Sequence, residues 1–420
     1  MARSPELFGE VAAGEPPRRT VRPEGRPGGG AGDSGDRGDG SLTAVCLPAP
    51  EAAEAVRQAW EGGRAVVVVD PRAPLPERRR VLDAVRPTHL HDEGGRRPVD
   101  GGEPVAPEVA AVVATSGTTG EPKAVELTWA GLHASAGAVS AALDAGAGDR
   151  WLCCLPLSGV GGLSVVARSF VSGVPFSVAP RFDAEAVAAA PATLVSLVPT
   201  QLARAIAGGV DLAGFRRVLV GGAPVPEELR RRAEEGGTRV TPTYGLSETW
   251  GGVVHDGRPL SGVEVRLGEA DEILLRGAVV MRGYRGSPDL TRRVFDADGW
   301  LRTADVGAWA DDGRLWVVDR RDDLVITGGV NVSPSEVEAV LAAHPAVADV
   351  GVTGAPDPEW GQRVVAYVVP SDPASPPTLA GLRAYAAERL SAPKLPRQVV
   401  LLESIPRTPG GKIRRRLLRV

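Results

Sequence analysis

Lysine is almost missing from this chain. Of its 48 basic residues only Lys123, Lys394 and Lys412 are lysines, and arginine fills nearly every ordinary solvated position of a sequence rich in Arg, Ala and Gly. A compact ammonium that meets one phosphate or carboxylate oxygen is not interchangeable with a planar guanidinium fork, so these positions read as needing lysine itself. Cysteine is scarce too. Cys46, Cys153 and Cys154 form no spaced framework and the adjacent pair sits in an apolar run, which excludes a disulfide scaffold and fits a reducing cytoplasm. No apolar stretch approaches the ~18 residues that cross a bilayer, and the N-terminus lacks the apolar centre of a signal peptide, so a soluble, unexported protein is expected. Excess positive charge is also absent: a formal charge of -4 and a pI near 5.9 argue against a nucleic-acid binder. The basic tail from Lys412 to Arg419 reads as a solvated end.

What is present is a nine-residue stretch, Thr115-Ser116-Gly117-Thr118-Thr119-Gly120-Glu121-Pro122-Lys123, directly after the apolar run Val109 to Ala114. Two glycines let the backbone bend so that several N–H groups share one concavity. Hydroxyls and one ammonium add side-chain donors, which together make a phosphate cradle. It is not a Walker A loop, because that pattern needs glycine immediately before the lysine and Pro122 stands there. The lesser alternative, on loop composition alone, is that Lys123 is an ordinary surface residue.

Length allows two or three domains. Residues 1 to about 40 are rich in Gly, Pro, Arg and Asp and are expected to be disordered. From 41 onward strands alternate with helices: a helix over Glu51 to Trp60, a strand over Ala65 to Val69, a helix near Pro76 to Val85, then the strand entering the Gly-rich loop. Thr128 is placed to cap a helix running to about Leu143, Trp151 to Leu155 reads as a short strand, and Leu163 to Val171 as a helix. Thr193 to Val198 and Arg217 to Val220 read as buried strands followed by helices opening near Pro199 and Pro224. That alternation predicts an α/β fold of parallel sheets covered by helices. After about Thr249 short alternating runs predict a hairpin-rich β region. A boundary is expected at the charged stretch Asp319 to Asp323, giving a large domain over 41–319 and a small α+β domain over 320–420. Its first helix is announced by Ser333-Pro-Ser-Glu336, a capping box with proline at the first helical position.

Further segments follow the loop in order: Leu155-Pro-Leu157, Val198-Pro-Thr-Gln-Leu202, Gly221-Gly-Ala-Pro224, Tyr244-Gly-Leu-Ser-Glu-Thr249, Gly283-Tyr284, Trp300-Leu-Arg-Thr-Ala-Asp305, Asp319-Arg-Arg-Asp-Asp323, Gly328-Gly329 and Pro406-Arg-Thr-Pro-Gly-Gly-Lys412. Together, over residues 41 to 420, they resemble the adenylate-forming superfamily of acyl-CoA synthetases, adenylation domains and luciferases. The resemblance implies that ATP and a carboxylic acid form an acyl-AMP and pyrophosphate, and that a thiol then takes the acyl group and releases AMP.

It also implies roles. Thr115, Ser116, Gly117, Thr118, Thr119, Gly120 and Lys123 would hold the β- and γ-phosphates, and Glu248 would bind Mg2+, which needs only one or two carboxylates besides phosphate oxygens and water. Thr249 would contact the α-phosphate and Tyr244 would stack on adenine, with Gly222 and Ala223 small enough to admit the purine. Asp305 and Arg320 would hold the ribose. Lys412 would bridge the acyl carboxylate and the α-phosphate in the transition state. Asp322 would be a hinge, and Gly328 and Gly329 would flank the channel for CoA.

The short stretch before the loop, with Trp151 to Leu157, Val195 to Ala203 and His255 to Val263, resembles most closely the o-succinylbenzoate-CoA ligases of menaquinone biosynthesis. Their acid carries a second, unreacted carboxylate, and a buried cation should meet it. Arg168 matches that arginine, with Gly245 beside the acid; the alternative is a surface arginine on an amphipathic helix. Five positions depart from the superfamily pattern: Gly159 for histidine, Ala124 and Ala304 for glycine, Asp319 for glycine, and Val330 for glutamate. They leave open a ligase for another aryl or alkyl acid, with CoA or a carrier protein as acceptor, and a non-catalytic nucleotide-binding protein.

Overall fold

The computed structural model describes residues 9–11, 40–116, 122–408 and 411–418. Two large sheets, a small antiparallel sheet and a C-terminal sheet make up the molecule. In the first, Leu42–Val45, Ala65–Val68 and His89–Asp92 are parallel neighbours, joined through the helices Ala49–Glu61 and Leu75–Val85. The first of these buries Ala52, Ala53, Val56 and Trp60 against the sheet, and the Trp60 indole donates to the Ala110 carbonyl at 2.9 Å. In the second, Phe176–Val178, Trp151–Cys153, Leu194–Leu197, Arg217–Val220 and Val240–Leu246 run parallel, and Gly251–His255 is antiparallel to the last of them. Helices Trp129–Ala142 and Val160–Ser172 pack between the sheets, so one apolar core contains Trp60, Trp151, Phe176 and Trp250.

Most of the expected elements form within a residue or two of their places. The expectation of parallel sheets holds for both centres but not for their margins. Val109–Ser116 and Pro122–Thr128 pair antiparallel; residues 117–121 between them lie outside the described residues. The helix expected near Pro224 opens later, at Glu227 after Pro226. Thr128 does cap its helix, accepting from the Gly131 N–H at 3.0 Å. The capping box at Ser333 is half formed. Ser333 Oγ accepts from the Glu336 N–H at 3.2 Å, whereas the Glu336 carboxylate takes Lys394 Nζ at 2.6 Å, which accounts for one of the three lysines.

Of the segment expected to be disordered, Gly9–Val11 is a strand on Phe176–Val178; residues 1–8 and 12–39 lie outside the described residues. The strands Glu264–Leu267, Glu272–Arg276, Leu301–Trp309 and Leu315–Arg320 make the small antiparallel sheet. A short turn, Arg321–Asp323, then leads to the C-terminal sheet and the helices Pro334–Ala342 and Leu379–Ala387.

Candidate active site

The antiparallel pairing places Thr115 opposite Lys123 and Ser116 opposite Pro122. Gly117, Thr118, Thr119 and Gly120, expected to cradle phosphate, lie outside the described residues. Next to Lys123's strand runs Gly283–Tyr284, with Tyr284 paired to Val125. The Lys123 ammonium lies 5.5 Å from the Tyr284 ring centroid, and the Tyr284 hydroxyl donates to Glu248 Oε1 at 2.7 Å. Burial, and then the Glu248 charge, push the Tyr284 phenol well above its ordinary range, so it stays a donor. Tyr284 thus ties the expected pyrophosphate cation to the expected magnesium carboxylate. The sequence marked it only as part of a motif.

Glu248 stands in the turn Ser247–Thr249, half-buried. One carboxylate with a single donor on it retains acceptor capacity, which fits an Mg2+ ion that takes its other ligands from phosphates and water. Thr249, expected at the α-phosphate, is fully buried. Its hydroxyl accepts from the Leu246 N–H at 2.9 Å and lies 2.9 Å from the Gly251 carbonyl, so it shapes the turn from within. The accessible hydroxyl of the turn is that of Ser247, which sequence reasoning missed; among the described residues it has no hydrogen bond and is partly exposed.

Tyr244, Asp305 and Arg320 form one cluster. The Tyr244 hydroxyl donates to Asp305 Oδ2 at 2.8 Å and Arg320 Nε donates to Asp305 Oδ1 at 3.0 Å. Burial, followed by the Asp305 charge, raises the Tyr244 phenol. Asp305 and Arg320 face each other across adjacent strands, a pairing that no sequence spacing reveals. Gly222, at φ +83°, has a backbone that side chains rarely adopt, and Ala223 follows it in the same loop.

Lys412 comes to the same place from the other end of the chain. Its hairpin closes through Thr408, whose N–H donates to the Lys412 carbonyl at 2.8 Å and whose hydroxyl accepts from the Lys412 N–H at 3.1 Å. Arg407 donates to the Gly411 carbonyl at 2.9 Å. A Cβ on Gly411 would sit 3.0 Å from Thr200 Oγ1, so the loop rests against the helix Pro199–Ala207. The lysine stays open to solvent in this cleft, yet the surrounding protein displaces enough water to lower its pKa. Arg320 lowers it further, against the pull of Asp323 and Asp305.

Arg168, on helix Val160–Ser172, is only 6% exposed and has no carboxylate partner among the described residues. Its Nε donates to the Ser164 carbonyl at 3.0 Å, and its amino groups to Ser164 Oγ at 2.8 Å and Ser196 Oγ at 3.3 Å. The guanidinium lies over Trp151, 4.3 Å from the ring centroid. Burial lowers its pKa to about 10, so it remains a cation at neutral pH. The alternative of a surface arginine therefore does not hold. Ser164 abuts Gly251, and a Cβ on Gly245 would collide with the Gly251 carbonyl, so Ser164 lies between Arg168 and the paired strands that carry Gly245 and Gly251.

Residues 43–285 match the AMP-binding enzyme family, and residues 336–412 match the AMP-binding enzyme C-terminal domain. The chain belongs to the AMP-binding enzyme family. A probable 2-succinylbenzoate–CoA ligase of Mycobacterium tuberculosis is 41% identical over 333 residues, 76% of this chain and 85% of that protein. The 2-succinylbenzoate–CoA ligase of Bacillus licheniformis is 37% identical over 340 residues, 74% of this chain and 70% of that protein. Among solved structures, o-succinylbenzoate CoA synthetase from Bacillus subtilis, in complex with its acyl-adenylate intermediate, superposes with a TM-score of 0.81 at 29% identity, covering 91% of this chain and 88% of that one. ATP-bound MatB from Rhodopseudomonas palustris shares the fold, with a TM-score of 0.80 at 23% identity over 90% of this chain and 88% of that one.

The departures of this AMP-binding enzyme have local accounts. Ala304 holds φ +59°, the left-handed conformation that favours glycine there. Gly159 precedes the helix of Arg168 with an ordinary φ of -105°, and a Cβ there would find its nearest neighbour 3.7 Å away, so the position is open rather than filled. Ala124 is buried within the strand Pro122–Thr128, and Val330 is exposed on a hairpin. Gly328 and Gly329, at φ +57° and +77°, make the two-residue turn of that same hairpin between Val325–Thr327 and Val330–Val332. Asp322 is exposed in the turn between the small sheet and the C-terminal part of the chain.

Proposed function

We propose that this protein is an AMP-forming acid–thiol ligase that joins 2-succinylbenzoate to CoA. In the first step a carboxylate oxygen of the acid attacks the α-phosphorus of ATP and pyrophosphate leaves. In the second, the CoA sulfur, giving up its proton, attacks the acyl carbon of the mixed anhydride and AMP leaves. Lys123 holds the departing phosphates, and Glu248, steadied by Tyr284, would hold a Mg2+ ion, which would supply charge neutralisation there. Asp305 and Arg320 hold the ribose while Tyr244 covers the purine beside Gly222 and Ala223. Lys412 bridges the attacking carboxylate and the α-phosphate, where charge develops in the transition state.

The observation that carries the choice of acid is Arg168. A buried guanidinium that stacks on Trp151 and whose hydrogen bonds, among the described residues, reach only hydroxyls and a carbonyl is unfavourable until an anion arrives, and 2-succinylbenzoate brings one carboxylate beyond the one that reacts. Residues 41–319 act as the large domain and 320–420 as a mobile small one turning at Asp322, with Gly328 and Gly329 beside CoA after the turn. No helix among the described residues is long and apolar enough to cross a membrane. Together with three free cysteines, this supports a cytoplasmic enzyme.

Isotope exchange between ATP and pyrophosphate across a panel of acids tests the reading. Exchange with other acids and none with 2-succinylbenzoate would overturn it. Gly159 favours one competitor, a ligase for a different acid, and the same panel decides between them. In the wild type's preferred acid, Lys412→Ala should lower exchange by orders of magnitude and leave ATP affinity nearly unchanged, because the contact is realised mainly in the transition state.

A further inference from the structure

Where the superfamily pattern has glycine before the arginine of the hinge segment, this chain has Asp319, and the carboxylate has found specific work. It is the penultimate residue of the strand Leu315–Arg320 and is 8% exposed. Oδ2 accepts from Ser333 Oγ at 2.8 Å and from the Ser335 N–H at 2.9 Å, while Oδ1 accepts from the Arg320 N–H at 2.8 Å. Ser333 and Ser335 open the helix Pro334–Ala342, which lies beyond Asp322. A carboxylate on one side of the hinge therefore closes over a helix N-terminus on the other, where unpaired N–H donors and the helix dipole favour an anion.

From that helix a chain of contacts runs to the catalytic lysine. Glu338 accepts from Arg415 at 2.8 and 2.9 Å and from the Val352 N–H at 2.7 Å. Arg415 is three residues beyond Lys412, in the segment that Arg407 fastens through Gly411. The helix start, Glu338, Arg415 and the Lys412 loop are thus linked in series, and Asp319, beside the Val318 carbonyl that lies 3.2 Å from Ser333 Oγ, supplies the charged tie between that series and the strand bearing Arg320.

We propose that Asp319 is a positioning residue: it latches the small domain in the orientation that holds Lys412 in the cleft, and so sets the balance between adenylation and thioester formation. This rests on the ligase reading above, in which the small domain turns between the two steps. Turning about Asp322 draws Ser333 and Ser335 away from Asp319, so the latch deepens the adenylating state and must open before the thiol reacts. Because both bonds are charge-assisted, their loss should shift the balance by about tenfold.

The test compares half-reactions in Asp319→Ala and Asp319→Asn. One assay is pyrophosphate exchange with 2-succinylbenzoate; the other is AMP release from supplied acyl-adenylate on adding CoA; melting temperature reports folding. Asp319→Ala should lower exchange by about tenfold while AMP release stays level or rises. Asp319→Asn, which keeps one acceptor oxygen without the charge, should fall between the wild type and the alanine variant in exchange alone. Parallel losses in both half-reactions, or no change in either, would overturn the latch. A wild type that exchanges with no acid would overturn the ligase reading instead, so the two failures are distinguishable; a poorly folding alanine variant leaves the asparagine variant to decide.

Discussion

Arg168 and Ala304 each hold a state that an ordinary residue would avoid. Arg168 keeps a guanidinium 6% exposed with no carboxylate against it among the described residues, and breaking a buried charge pair typically costs 2–5 kcal/mol in binding. Arg168→Met should therefore lower kcat/KM for 2-succinylbenzoate by about a hundredfold or more, most of it in KM. Removing an unpaired buried charge relieves the free protein, so the variant should melt no lower than the wild type. A large fall in melting temperature with unchanged KM would mean that Arg168 is structural. Ala304 sits at φ +59° beside Asp305, and a residue with a Cβ in that region pays about 1 kcal/mol or more of strain. Ala304→Gly should raise unfolding free energy by up to ~1 kcal/mol in urea titration.

At the scale of elements, what the chain revealed and what it hid follow from the reach of each signal. Helix and strand spacing is local, so Trp129–Ala142 and Leu194–Leu197 were readable to within a residue or two. Thr128 is the clearest case, a cap announced by residue type and confirmed by its bond to the Gly131 N–H. Thr128→Ala should cost about 1 kcal/mol of stability while the exchange rate per folded molecule stays unchanged, as measured by urea unfolding beside the exchange assay. The antiparallel pairing of Val109–Ser116 with Pro122–Thr128 was not readable, because an apolar run followed by glycines carries no signal of strand direction. Nor was the fate of hydroxyls in the Ser247–Thr249 turn: motif order could not tell that Thr249 points inward and Ser247 outward. Tyr284's bond to Glu248 joins positions 36 residues apart, beyond any local pattern. The candidate site was legible as a set of segments through resemblance; the hydrogen bonds that bind Tyr244, Asp305 and Arg320 into one cluster come only from tertiary pairing.

The whole molecule responds to pH through groups that folding removes from water, and His255 is the one whose effect is simplest to sign. It is 8% exposed, its Nδ1 is buried without a partner among the described residues, and the Arg168 charge acts on it. Burial, helped by that charge, lowers its pKa from 6.5 to about 4. Above pH 6.5 the ring is neutral in both the folded and unfolded chain, and its contribution to stability is complete. As pH falls through 6.5 the unfolded chain takes up a proton that the folded protein refuses, and stability drops until about pH 4, where the folded ring titrates as well. The total is about 3 kcal/mol, of which about 2 kcal/mol falls between pH 7 and pH 5. Replacing the ring by a neutral amide, His255→Gln, removes the titration but keeps a polar group. Urea unfolding at pH 7 and pH 5 should show the wild type losing about 2 kcal/mol more than the variant over that interval; equal losses would assign the acid sensitivity to other groups.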